Sequence, residues 1–213
     1  MIELYSFFNS STSYRVRIAL ALKGLEYQHK GVNIRVGDEY LPEYTELNPS
    51  KSVPVLVDGD LKITQSMAIM QYLDERYPEP RLIPQDLIGK TRVLELCNGI
   101  ACDMHPVNNL RILNYLSNEL NVSAQDKSTW YQHWIQQGFE AVETLLQRYG
   151  SGRFCFGDAP GLADCCLVPQ IANAQRMNCD LKPFPRVMAI YETCMELPEF
   201  KKAAPQNQPD YIA

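Results

Sequence analysis

Between Ile2 and Tyr77 the hydrophobic period of the chain keeps changing; beyond Pro78 it settles on one. "IELYSF" alternates Ile2, Leu4 and Ser6 against Glu3, Tyr5 and Phe7, which predicts a strand. "YRVRIALALK" is a run of helix formers that stops at Gly24, the residue favoured just past a helix end. "YQHKGVNI" reads as a second strand, and residues 38–47 hold room for a short helix. "VPVLVDGDLKI" gives two short strands joined at Asp58-Gly59, a hairpin signal. "QSMAIMQYLDERY" is helical, with Ile69, Leu73 and Tyr77 at i, i+4 and i+8, and it ends before Pro78. An order of β-α-β followed by β-β-α has few solutions. Right-handed crossovers make the first two strands parallel neighbours, and the hairpin adds antiparallel strands to the same sheet. That is the layout of a thioredoxin-like domain.

"YPEPRLIPQD" is a proline-punctuated connector, and no strand pattern follows it. Four stretches then read as helices: "KTRVLELCNGIACDMHPVNNLRILNYLSNEL", "STWYQHWIQQGFEAVETLLQRY", "LADCCLVPQIANAQRM", interrupted near Pro169, and "FPRVMAIYETCMEL". The expected architecture is an α/β thioredoxin-like N-terminal domain over residues 1–80, a linker over 81–87 and an all-α C-terminal domain over 88–213. The tail "AAPQNQPDYIA" is expected to be extended.

A formal net charge of -5 removes a global basic field, so no nucleic-acid partner is expected. No apolar run is long enough to span a bilayer, and "MIELYSFF" lacks the basic and apolar regions of an export signal. The expectation is a cytoplasmic protein with no membrane partner. The seven cysteines form no C-x-x-C, and the three histidines complete no metal-ligand spacing, so buried free thiols and no metal are expected.

The first cysteine is Cys97. A thioredoxin-like domain that does dithiol chemistry carries C-x-x-C at the start of its first helix. This chain has Ser10-Ser11-Thr12-Ser13 there, so any sulfur chemistry in this domain must use a sulfur brought by a ligand. A free thiol ionises near pKa ~8.5. Lowering that by about two units takes roughly 2.7 kcal/mol of thiolate stabilisation. A helix N-terminus supplies ~0.3–2 kcal/mol, and a hydrogen bond to a charged group roughly 1.5–3 kcal/mol. A hydroxyl cluster at a helix start can therefore cradle a thiolate without metal or general base. A well-capped helix with spare serines is an equally good reading of those four residues. A cis Val53-Pro54 bond would turn the Val53 backbone toward that helix start, ready to pair with an extended peptide; a trans bond in a plain loop is the alternative. Gln65-Ser66 opens the next helix, where Ser66 can cap and present backbone donors to a carboxylate.

"SSTSYRVRIALALKG" matches the pattern S-S-C-x-[W/H/Y]-R-V-R-I-A-L, and the match continues through "LNPSKSVPVL", "QSMAIMQYLDERYP" and "PRLIPQD". It extends over "DMHPVNNLRIL", "GFEAVETLL", "GDAPGLADCCLVPQIANAQRMNCDL" and the "QPD" near the end. On these residues the chain resembles zeta-class glutathione transferases, the class that takes in maleylacetoacetate and maleylpyruvate isomerases. The resemblance implies glutathione as cofactor, bound by the front domain, and a homodimer. It places Ser10, Ser11 and Thr12 around the sulfur, Val53 against the cysteinyl backbone, and Gln65 and Ser66 at the γ-glutamyl end. His105 and Asn109 match positions that reach the cofactor from the helical domain. Their plainer readings are a kink at His105-Pro106 in a long helix and a polar helix face at Asn109. Arg176 matches an arginine that holds a substrate carboxylate. Arg111 and Arg15 are further candidates, each with a surface or helix-end ion pair as its ordinary reading.

Four positions depart from the family pattern. Thr12 replaces a cysteine, Asn9 an arginine that grips substrate, Ser52 a glutamine that contacts glutathione, with Lys51 beside it, and Gly161 the usual Ser/Thr helix cap three residues before Asp164. The implied reaction is glutathione-dependent cis–trans isomerisation of a maleyl diketo acid, with glutathione regenerated, in tyrosine or gentisate-type aromatic catabolism. Two rivals share the motifs: a transferase that consumes glutathione on electrophiles such as α-haloacids, and a non-catalytic protein that keeps the fold as an interaction surface.

Overall fold

A computed structural model describes residues 1–212. By contacts the chain divides into two compact units: Met1–Ile83 together with the residues from Met195 onward, and Pro84–Cys194.

In the first unit four strands, β1 (Ile2–Ser6), β2 (Tyr27–Gly31), β3 (Val55–Asp58) and β4 (Leu61–Thr64), form one sheet in the order β2-β1-β3-β4. β1 pairs parallel with β2 and antiparallel with β3, so Leu4 lies between His29 and Leu56; β3 and β4 form the hairpin, with Gly59 at φ 60°. This is the predicted thioredoxin-like arrangement. Alternation along β1 buries Ile2, Leu4 and Ser6 and leaves Glu3 and Tyr5 half-buried.

Helix α1 (Ser11–Leu22) packs against α3 (Ser66–Arg76), and the short α2 (Pro42–Leu47) follows a 3-10 turn at Asp38–Tyr40, within the stretch allotted to a short helix. Phe7, Phe8, Val32, Tyr44, Val53 and Val55 make a separate buried cluster. Every residue of α1 from Ser13 to Leu20 is buried, Arg15 and Arg17 included. Such a helix has no solvated stripe, and the reason lies far along the chain: α10 (Pro198–Ala203) packs on it. Residues 195–212 thus group with the front unit, although the sequence assigned them to the helical domain. The tail is not simply extended either, since α10 and a 3-10 turn at Pro205–Asn207 shape it.

The second unit is helical: α4 (Leu87–Asn98), α5 (His105–Val107), α6 (Leu110–Asn118), α7 (Ala124–Tyr149), α8 (Leu162–Arg176) and α9 (Pro185–Glu196). The segment read as one helix after Lys90 is in fact broken. A π-helical stretch (Gly99–Met104) leads into α5, and the chain turns at Asn108 and Asn109 before α6 starts. Asn108 is held there by donating to the Tyr131 carbonyl at 3.0 Å. The expected interruption of α8 at Pro169 does not occur; the helix runs continuously through it and is buried along most of its length. Proline removes one N–H, and close packing on all sides keeps the helix in place around that missing bond. The Phe139 ring of α7 and that of Phe184 meet at a 43° tilt in the core, their centroids 5.6 Å apart. No disulfide joins any of the seven cysteines, and five are buried: Cys97, Cys155, Cys165, Cys166 and Cys194.

Candidate active site

The start of α1 is built from neutral hydroxyls. Ser10 is the N-cap, with φ -81° and ψ 120°, and its Oγ accepts from the Ser13 N–H at 3.2 Å. Thr12 Oγ1 donates to the Val53 carbonyl at 2.8 Å and lies 2.8 Å from Ser10 Oγ. A hydroxyl has one proton. That of Thr12 is committed to Val53, so Ser10 must be the donor to Thr12. The chain Ser10→Thr12→Val53 therefore ties the helix cap to the loop before β3. The Val53-Pro54 bond is cis. No acidic residue lies in the first turn of α1. The Ser11 and Thr12 N–H groups are among the opening amides that no preceding turn can accept from. An end with free donors, a positive macrodipole and no anion of its own is complementary to a thiolate.

Gln65 and Ser66 stand at the start of α3, with a changed division of roles. Gln65 takes the cap position at φ 69°, left-handed backbone uncommon for a side-chain-bearing residue, and makes no side-chain cap bond. Ser66, expected to cap, is instead the first helical residue, buried, and its Oγ accepts from Arg15 Nη1 at 3.3 Å. A strained backbone of this kind costs about 1–3 kcal/mol and persists where the surroundings impose it, often at ligand clamps.

Arg15 itself overturns its ordinary reading. It is 1% exposed, and its Nε and Nη2 have no hydrogen-bond partner among the described residues. Buried donors without acceptors are costly. A guanidinium behind Ser66 with unused donors makes this end of the unit suited to an anion. Ser52 contributes through its backbone, its carbonyl accepting from Tyr44 Oη at 2.6 Å and Asn48 Nδ2 at 2.7 Å. Lys51, at φ 49°, lays its ammonium over the Tyr40 ring at 5.5 Å.

In the helical unit the structure brings His105 and Asn109 together, Asn109 Nδ2 lying 3.4 Å from His105 Nε2. Asn109 is not a mid-helix polar face. It caps α6, its Oδ1 accepting from the Arg111 N–H at 3.1 Å. Arg111 is exposed in the first turn of that helix. Arg176 closes α8, where its guanidinium donates to Asn173 Oδ1. Sequence reasoning missed two neighbours. Asn173 is buried, and Tyr131 has a buried hydroxyl with no hydrogen-bond partner among the described residues. Burial pushes the Tyr131 phenol up, and the Arg176 charge pulls it the other way. Neither has a local signature; Tyr131 reads as one more apolar position of α7. Among the described residues no cluster of His, Cys, Asp and Glu could hold a metal ion.

A thioredoxin-like unit with a hydroxyl-lined helix start, and a separate helical unit, are the two parts of a glutathione transferase. The chain belongs to the glutathione S-transferase family: the model of the N-terminal domain matches residues 1–75 and that of the C-terminal domain residues 128–193. It is 46% identical over 209 residues to a probable maleylacetoacetate isomerase of Vibrio cholerae serotype O1, covering 97% of each chain. The holo structure of a maleyl pyruvate isomerase, a bacterial zeta-class glutathione S-transferase, superposes with a TM-score of 0.96 at 43% identity, over 99% of this chain and 100% of the other. A maleylacetoacetate isomerase from Anaeromyxobacter dehalogenans 2CP-1, solved with glutathione in its active site, gives a TM-score of 0.90 at 39% identity, over 100% and 98% of the two chains.

Proposed function

We propose that this chain is a glutathione-dependent isomerase that converts a maleyl diketo acid, maleylacetoacetate or maleylpyruvate, to its fumaryl isomer. The observation that carries the reading is the α1 start, with opening amides, hydroxyls and no acid in its first turn. The isomerase relatives, matched over nearly the whole chain, fix the reaction class. The residues fit glutathione. Ser11 and Thr12 amides face the sulfur, Val53 offers its backbone to the cysteinyl unit, and Gln65 and Ser66, with Arg15 behind, take the γ-glutamyl carboxylate. Bound there, glutathione would supply a nucleophilic sulfur for reversible addition to the cis double bond, which can rotate while it is single.

The protein's part is electrostatic and positional. The α1 end holds the sulfur ionised, and the hydroxyl chain from Ser10 fixes its place. On the family resemblance, His105 and Asn109 would contribute to holding the cofactor, and Arg176, which donates to Asn173, would hold a substrate carboxylate with its planar fork, with Arg111 as a second cation. Thr12, with a hydroxyl in place of the usual thiol, leaves the isomerase chemistry to the helix end and offers no target for alkylation. Isomerisation of such acids belongs to aromatic catabolism, of tyrosine or of gentisate type. The family resemblance supports a cytoplasmic homodimer, and no described helix is long and apolar enough to cross a membrane.

The test is to follow both substrates by ultraviolet absorbance with and without catalytic glutathione, measuring free thiol throughout. Turnover that requires glutathione and leaves its concentration unchanged is the expected result. Loss of thiol during turnover would convert the assignment to a conjugating transferase. Failure to bind glutathione would leave only the fold.

A further inference from the structure

The turn that delivers the chain into α1 is held from two directions. Ser10 N donates to the Phe7 carbonyl at 3.0 Å, so residues 7–10 set where the cap hydroxyl stands. From α1 itself, Arg17 donates to the Phe7 carbonyl at 3.3 Å and, through Nη2, to the Phe8 carbonyl at 2.9 Å, while its Nε takes the Ala203 carbonyl at 3.0 Å. From the far end of the chain, Asp210 Oδ2 accepts the Phe8 N–H at 2.8 Å, a bond across 202 residues. The other carboxylate oxygen lies 3.0 Å from His29 Nε2 on β2, and the next ring, Tyr211, stands edge-on to Phe8 at 5.3 Å. Gln208 fixes the approach, its Nε2 donating to the Lys202 and Ala204 carbonyls at 2.9 and 3.0 Å.

We propose that Asp210 is a positioning residue for the thiolate site: its carboxylate clamps the Phe8 amide and so fixes the turn that places Ser10, Ser11 and Thr12. This rests on the assignment of that helix start to glutathione sulfur. Arg17 and Asp210 divide the task. Arg17 takes the carbonyls of the turn, and Asp210 takes the amide between them. With both in place, Phe8 has neither of its backbone groups free to let the turn rotate. The groups facing this carboxylate are His29, Arg17 and Tyr27. Burial pulls the Arg17 guanidinium down to about 10, which still leaves it charged at neutral pH. The "QPD" of the tail, to which the proposed function gives no task, thereby acquires a positioning role exerted through the backbone.

The experiment compares full-length wild type, Asp210→Ala, Asp210→Asn and Asp210→Glu. It measures the thiol pKa of bound glutathione by thiolate absorbance, kcat and KM for glutathione, thermal unfolding, and hydrogen exchange at the Phe8 amide. Asp210→Ala should raise the bound thiol pKa and lower kcat about ten- to a hundredfold, the upper figure being the cost of a roughly 1 Å misplacement, with a smaller change in KM. Asp210→Asn keeps an acceptor for Phe8 and should restore most of both; Asp210→Glu, one methylene longer, should fall between. Phe8 exchange should rank the variants in the same order. If Asp210→Ala does not fold, the Asn and Glu variants carry the comparison. Variants that lose thermal stability but keep the wild-type thiol pKa and kcat would overturn the proposal, leaving the tail as plain packing. A wild type that does not lower the thiol pKa at all would instead bring down the site assignment on which it rests.

Discussion

Two helices of this protein begin in opposite ways. At α8 the end is closed by a carboxylate of its own. Asp164, 1% exposed, accepts the Gly161 N–H at 2.8 Å with one oxygen and the Cys155 N–H at 2.9 Å with the other. Gly161 has no side chain to give in return, so the usual reciprocal box is reduced to its acidic half, supplemented by the Cys194 thiol 3.8 Å from Asp164 Oδ1. Burial pushes the Asp164 carboxyl up, and the Gly161 and Cys155 amides pull it back down. At α1 the end is closed by hydroxyls, which satisfy one amide and neutralise nothing. The first arrangement leaves no place for a foreign anion and serves the core. The second keeps its positive end available, which is what the proposed thiolate site requires of it.

Deleting the charge of the closed end is expected to have the largest effect. Asp164→Ala orphans the buried Cys155 amide and the half-buried Gly161 amide, each worth about 1–3 kcal/mol, so unfolding in urea should show a loss of roughly 3–4 kcal/mol, with Asp164→Asn losing less. A loss below about 1 kcal/mol would mean that water replaces the carboxylate and that the two ends differ less than their geometry says. Closing the open end is next. Ser11→Asp puts a carboxylate in the first turn of α1, as at α8. Repulsion of about 2 kcal/mol at short range should weaken glutathione binding roughly thirtyfold by calorimetry and raise the bound thiol pKa, with unfolding in urea measured beside it because Ser11 is only 8% exposed. Tight binding by this variant would show that the sulfur lies elsewhere.

A smaller effect is expected from cutting the hydroxyl chain. Thr12→Val strands the Val53 carbonyl and the Ser10 proton, about 1.4 kcal/mol or tenfold in kcat/KM, and Thr12→Ser should recover it. Equal rates for valine and serine would refute the chain. The smallest change concerns pH. Burial holds His29 below its ordinary value of 6.5, against the upward pull of Asp210, with Arg17 adding to the lowering. The unfolded chain therefore binds the proton first, and stability from this group is complete above 6.5 and declines as pH falls from there toward the folded value. His29→Gln should flatten that part of the stability profile; an unchanged slope would assign it to other groups.

Much of the open helix end was readable in advance. The hydroxyl run before "YRVRIALALK" and the Val53-Pro54 step each act over a few residues, and the structure joins the two through the Thr12 hydroxyl. Other parts could not be read that way. Arg15 and Arg17 occupy one helix two residues apart, and nothing in "RVR" says that both are interior or that Arg17 finds carbonyl acceptors while Arg15 keeps unused donors. The break at Asn108 depends on the Tyr131 carbonyl, 23 residues on, and the continuity of α8 through Pro169 on what packs around it.

The sequence by itself determined the order of elements from β1 to α3, the thioredoxin-like sheet and the chemistry offered at the α1 start, because period, caps and turns are settled by neighbours along the chain. Only the tertiary structure decided that residues 195–212 return to the front unit, that Ser66 is held from α1 rather than acting as a cap, and that Asp210 reaches Phe8. Those contacts join groups up to 202 residues apart. Their partners are chosen by the shape and burial of the finished core, and no local pattern encodes that choice.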